Sequence, residues 1–127
     1  MTIMPIYASL AAIFFIALSA RVILFRRAHG VSLGDGGQDA LLRRVRAHSN
    51  FVEYAPFGLL ILLIAELQNA LGWWLHIIGI LLLVGRVLHG LALTRETPNP
   101  NFRVWGMLLT FSSFALGGIT TLTLALF

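Results

Sequence analysis

The chain has 127 residues, is 58% hydrophobic and only 11% charged, and carries a formal net charge of +4 with no cysteine. A soluble domain carries about 25% charged residues, so this composition excludes an ordinary soluble fold; the missing cysteines exclude a disulfide framework and a thiolate metal site. All nine basic residues are arginine, and with so little polar surface they suggest a membrane-facing cluster rather than a nucleic-acid surface.

Four apolar runs follow one another along the chain. The first covers 3–20 and continues past Arg21 through 22–25, which predicts a helix over about 3–28. Pro5 suits a first helical turn, where a missing N–H costs nothing. The start, MTIMPIYASL, has no positively charged n-region and the run is too long for an h-region, which argues against a signal peptide. GVSLGDGGQD, residues 30–39, then reads as a glycine-rich polar loop. The second run begins near Ala47 and ends near Glu66, within a helix expected over about 41–67. A tight turn over 68–72 leads to the third run, 71–93, which is interrupted by Arg86 and predicts a helix over about 71–94. TRETPNPN, residues 94–101, is a connection whose two prolines stop the helix. The fourth run, 104–127, carries no charge and predicts a helix over about 102–126.

Each run approaches the roughly 20 residues needed to cross about 30 Å of hydrocarbon. The expected fold is therefore an all-α integral membrane protein, one four-transmembrane-helix domain over 1–127 with no internal repeat. Helices are the natural solution, because a helix satisfies its own backbone groups in lipid. Arg21, Arg26, Arg27, Arg43, Arg44 and Arg46 flank the first loop, and Arg86, Arg95 and Arg103 lie at the third. The middle turn and both ends carry none. The positive-inside rule then places both arginine-rich loops in the cytoplasm and both termini outside. Trp73 and Trp74 belong to the outer aromatic belt and Trp105 to the inner one. A small four-helix drug exporter would need a carboxylate in its first helix, and this one has none.

The stretch RVRAHSNFVEYAPF, residues 44–57, brings ionisable groups into the head of the second span. The twelve residues between Glu53 and Glu66 cover roughly 18 Å of helix, too little to cross, so Glu53 is expected within the hydrocarbon layer. The same argument puts Arg86 inside. Glu53 and Arg86 lie about equally far from the second turn, so an antiparallel hairpin sets them at one depth. A charge there is costly and usually faces the bundle interior and pairs. Arg46, Asn50, Glu53 and Phe57 share one helical stripe, and Arg86, His89 and Leu93 another. A plain structural ion pair between Glu53 and Arg86 is the bland alternative. The surplus of Arg46, Asn50 and His89 favours a polar pocket open to the arginine-rich side. Such a pocket fits an anionic ligand with an ammonium group: arginine grips carboxylates, Glu53 receives the ammonium, and Asn50 can donate and accept. An apolar second substrate could enter from the lipid. Tyr54 reads as packing and Pro56 as a bend in the second helix. Glu66 and Gln68 read as solvated ends and His76 as an interfacial residue. The glycines of the last two runs allow close packing and oligomers. The four histidines have no metal-ligand spacing.

The same stretch resembles the signature of the MAPEG family, the membrane-associated proteins of eicosanoid and glutathione metabolism. The pattern R-x-x-x-N-x-x-E-Y-x-P is met at Arg46, Asn50, Glu53, Tyr54 and Pro56. RRAHGVS resembles the family's paired arginines, at Arg26 and Arg27; GRVLH its third-helix arginine, at Arg86; and FRVWGMLLT the arginine that opens the fourth helix in bacterial members, at Arg103. The resemblance covers essentially the whole chain. It implies a bacterial-type member akin to the microsomal glutathione transferases, placed in the inner membrane as a homotrimer, with glutathione bound between neighbouring subunits near the cytosolic face. By that resemblance Arg46, Asn50, Glu53 and Tyr54 hold glutathione from one subunit; Arg86 and His89, with Arg26 or Arg27, complete the site. Arg103 matches the position that stabilises the thiolate. A thiol with a pKa of about 8.5 is mostly protonated at neutral pH, and a nearby guanidinium favours the nucleophilic thiolate. The implied activity is a transferase or peroxidase acting on hydrophobic electrophiles, with membrane lipid as a further partner and no metal. His89 and Leu93 stand where many eukaryotic members have tyrosines. Their presence leaves a second expectation, a non-catalytic binder of a lipid or thiol on the same fold.

Overall fold

Four helices make up most of the computed structural model, which describes residues 2–97 and 99–127. They are α1 (Met4–His29), α2 (Asp39–Leu67), α3 (Gly72–Thr94) and α4 (Pro100–Leu126). All four are long and apolar enough to cross a membrane. Successive helices run in opposite directions, so the α1–α2 and α3–α4 connections share one end, the arginine-rich end. The α2–α3 turn and both termini share the other.

Position in the bundle follows from the side chains. α2 and α3 each touch the other three helices, whereas α1 and α4 do not touch each other, and α3 packs most extensively, chiefly against α4. α3 is accordingly the most buried span and α1 the least, at 44% and 11% of their apolar windows. α3 and α4 approach until backbones meet. A Cβ on Gly85 would lie 2.8 Å from the Gly106 carbonyl, and one on Gly106 would lie 2.8 Å from the Gly85 carbonyl. Only glycine permits that separation. One apolar cluster of Tyr7, Leu62, Ala65, Leu75 and Ile78 fills the bundle toward the terminal end. A second, of Ala11, Leu18, Ala47, Phe51 and Ala55, joins α1 to α2. Ile13, Ile16, Leu24, Leu60, Ile80, Leu108, Ile119 and Leu122 face outward, as expected where the surroundings are acyl chains rather than water.

Helix ends show how these runs begin and stop. α1 has no local side-chain cap and no acid in its first turn. The Glu66 carboxylate supplies both from the end of α2: it accepts from the Thr2, Ile3 and Met4 backbone N–H groups at 2.5–2.8 Å. Glu66 is thus a cap for the orphan donors of another helix and not a solvated end. Gln68 is not one either; its Nε2 donates to the Thr121 carbonyl at 3.2 Å. Gly30 ends α1 in the left-handed region at φ 64°, the usual task of a glycine after a helix. α2 runs unbroken through Pro56. Of the two prolines expected to stop α3, Pro98 lies outside the described residues. Pro100 instead opens α4, behind an Asn99 side chain that accepts from the Asn101 N–H at 3.0 Å.

Candidate functional site

Arg86 stands at the centre of the polar residues in the bundle. It is only 2% exposed, and α2, α3 and α4 all contribute to its surroundings. Its Nε donates to Thr110 Oγ1 at 2.9 Å, its Nη1 to Asn50 Oδ1 at 2.5 Å, and its Nη2 to the Met107 sulfur at 3.2 Å. The guanidinium also lies over the Tyr54 ring, 4.9 Å from its centroid, a favourable seat for a desolvated cation. Tyr54 stacks in turn on Phe114 and meets Phe111 edge-on.

Glu53 and Arg86 form no ion pair within the protomer. The expectation that Glu53 faces the bundle interior and pairs is corrected by the structure, and the plain structural lock between them is absent too. Arg86 is level with Asn50 and Tyr54, the residues that bracket Glu53, so the depth argument is sound. The angular placement is what differs. Asn50 and Tyr54, four residues apart, turn toward α3, and Glu53 falls to one side of that line and is exposed. Arg46 and Phe57, on the same stripe, are exposed as well. The stripe therefore forms an outer face of the protomer beside α4, which Phe57 touches through Phe114. Thr110, Met107 and the Tyr54 ring take the places an acid would have filled. Thr110 and Met107 are not among the expected site residues; their one signal in the sequence is a threonine one turn beyond Gly106 in a largely apolar run.

His89 is 4% exposed and lies one turn nearer the arginine-rich end than Arg86. Its ring nitrogens have no protein partner among the described residues. It lines a groove of about 390 Å³ with Arg103, Met107 and Phe111. Arg103 is exposed, in the first turn of α4. The structure thus brings Asn50, Tyr54, Arg86, His89 and Arg103 to one region. Two cations, Arg86 buried and Arg103 on the groove wall, have no carboxylate partner among the described residues. A buried cation satisfied only by neutral groups keeps its field, which favours an anionic ligand in the adjoining groove.

Arg26 and Arg27 are not part of this region. They line a separate hollow of about 450 Å³ with Ile23, Gly30, Val31 and Ser32, and Arg26 Nη1 donates to the Gly34 carbonyl at 2.7 Å. The reason is topological: α1 lies across the bundle from α4. A third groove, of about 260 Å³, runs between α1 and α2 and is lined by Ala8, Ala12, Phe15, Val52 and Pro56 among other apolar residues.

Comparison with known proteins gives a consistent picture. The chain matches the MAPEG family over residues 4–123. Inner membrane protein YecN, from two strains of Escherichia coli, is 39% identical to it over 84 residues. That stretch is 66% of this chain and 64% of YecN, so the match spans less than two thirds of the relatives' own length. No solved structure matches the chain.

Proposed function

Because the chain belongs to the MAPEG family, we propose that this membrane protein binds glutathione at its arginine-rich end and uses the thiol to conjugate or reduce hydrophobic electrophiles. The observation that carries the reading is the groove with His89 and Arg103 on its wall and, behind it, the buried Arg86 cation bonded only to neutral groups. In a medium of low dielectric, a guanidinium beside a thiol favours the thiolate. Arg103, exposed at the groove, takes that role. The thiolate then attacks an electrophilic carbon, forming a thioether as the leaving group or the displaced electron pair departs. With a hydroperoxide it attacks the terminal oxygen instead, breaking the O–O bond to release the alcohol and a glutathione sulfenic acid that a second glutathione converts to disulfide and water. The electrophile arrives from the lipid along the apolar side of the groove.

The protomer also supports a shared site. Glu53 and Arg46 are exposed on a span that lipid would otherwise surround, and an uncovered carboxylate at that depth is costly. A neighbouring copy in a homotrimer covers this stripe and brings its own Arg26 and Arg27 toward the ligand. Asn50, Glu53, Tyr54 and Arg46 then hold glutathione from one subunit, with Arg86 and His89 completing the wall. By the arginine distribution this end faces the cytoplasm and both termini lie outside. The relatives' printed name favours the bacterial inner membrane.

Stopped-flow absorbance near 240 nm, where a glutathione thiolate absorbs, tests the reading on purified protein. A thiolate signal is expected that disappears in Arg103→Ala and shrinks in Glu53→Ala. Wild-type protein with neither that signal nor calorimetric glutathione binding would end it. The wholly apolar α1–α2 groove favours a second reading, a non-catalytic lipid binder; glutathione binding without a thiolate signal would favour a non-catalytic thiol binder of the same fold.

A further inference from the structure

Arginine can donate hydrogen bonds but cannot accept them. The contact between Arg86 Nη1 and Asn50 therefore decides which way the Asn50 amide points: Oδ1 must face Arg86. The Asn50 Nδ2 group is left with no protein partner among the described residues, and it is not a buried orphan. It reaches the surface beside the exposed stripe of Arg46 and Glu53. An amide free to rotate could meet either a donor or an acceptor on a ligand. This one can only donate.

The chain of constraints extends one residue further. Thr110 Oγ1 donates to the Gly106 carbonyl at 2.8 Å and so presents its lone pair to Arg86 Nε. Thr110 is fully buried, and its neighbour Gly85 admits no side chain between the helices. Each nitrogen of the Arg86 guanidinium thus makes one hydrogen bond inside the protomer. Although two of its five N–H groups are not used in these bonds, the residue is only 2% exposed, so burial and this network keep the cation from a ligand.

We propose that Arg86 is a positioning residue, locked by Thr110, that presents Asn50 to the ligand as a pure hydrogen-bond donor. The ligand atom met by Asn50 is accordingly an oxygen acceptor, a carboxylate or an amide carbonyl, and not an ammonium group. The inference rests on the reading of this region as the ligand site, and it moves Arg86 from contact to scaffold.

Two substitutions separate these roles. Thr110→Val removes the acceptor for Arg86 Nε at nearly constant volume, and Thr110→Ser restores it. Asn50→Asp keeps an acceptor for Arg86 but deletes the donor. In nanodiscs, ¹⁵N NMR reads the exchange of the Arg86 Nε–H with water, the signal being assigned by its loss in Arg86→Met. Exchange is expected to speed up at least about tenfold in Thr110→Val, to return to within about twofold of wild type in Thr110→Ser, and to stay slow in Asn50→Asp. Calorimetry with glutathione is expected to show binding weakened about tenfold or more in both Thr110→Val and Asn50→Asp, and retained in Thr110→Ser. Unchanged exchange in Thr110→Val overturns the lock. Tighter glutathione binding by Asn50→Asp overturns the donor assignment, since a carboxylate there would prefer an ammonium. The exchange measurement needs no ligand. Wild type that binds no glutathione therefore removes the glutathione reading and leaves the lock judged on the arginine signal alone.

Discussion

The two ends of this bundle use their polar groups in opposite ways. At the terminal end most polar contacts close within the protomer, Gln68 Oε1 being the buried exception among the described residues. Glu66 caps α1, the Tyr7 hydroxyl meets His76 Nδ1 at 2.9 Å and the His76 carbonyl at 3.1 Å, and Trp74 Nε1 donates to Thr120 Oγ1 at 2.8 Å. At the arginine-rich end Arg86 is hydrogen-bonded, but Asn50 Nδ2, the His89 ring, Glu53 and Arg103 have no side-chain partner among the described residues. Buried polar groups normally find partners. Accessible polar groups gathered next to a groove at one end mark where something else is to be bound, and the end whose contacts mostly close within the protomer is the one that holds the fold.

Substitutions at each end should separate ligand binding from stability. Arg86→Ala should have the largest effect. It orphans Asn50 and leaves a void between three helices, which should lower stability by about 3 kcal/mol in detergent unfolding titrations and abolish glutathione binding. Gly106→Ala should come next. Its Cβ would lie 2.8 Å from both the Gly85 carbonyl and the His89 N–H nitrogen, so α3 and α4 must part at a cost of about 2 kcal/mol. The groove between His89 and Arg103 should widen, and glutathione affinity should fall with stability. If affinity were unchanged, the groove would not be part of the site.

Glu66→Gln sharpens the contrast from the other side. The loss of a charged cap on three N–H groups should cost about 1 kcal/mol and should expose the Thr2, Ile3 and Met4 amides to faster hydrogen exchange. Glutathione affinity should be unaffected. Trp74→Phe should show the smallest effect, about 0.5–1 kcal/mol for one hydrogen bond, again without a change in ligand binding. A loss of affinity in either variant would mean that the two ends are coupled rather than divided between stability and binding.

The helices were legible because hydrophobic length is a one-dimensional property. The charge-free run that became α4 and the long apolar stretch of α1 could be read residue by residue. So could the depth of Arg86, which is a distance along a rod. Glu66 was less visible, since its partners are backbone groups 62–64 residues away. A hint was present all the same: α1 opens with no acid and no local cap, so its orphan N–H groups needed a remote one.

Composition and spacing by themselves determined that this chain forms membrane-crossing helices, that its arginines gather at one end, and that ionisable groups of α2 and α3 share a depth. Only the packed bundle decided which way those groups face. A helix repeats every 3.6 residues, so Asn50, Glu53 and Tyr54 point in different directions, and which of them meets Arg86 depends on where α3 and α4 are seated. The close contact at Gly85 and Gly106 seats α4, brings Thr110 and Met107 to the guanidinium, and leaves Glu53 on the outside.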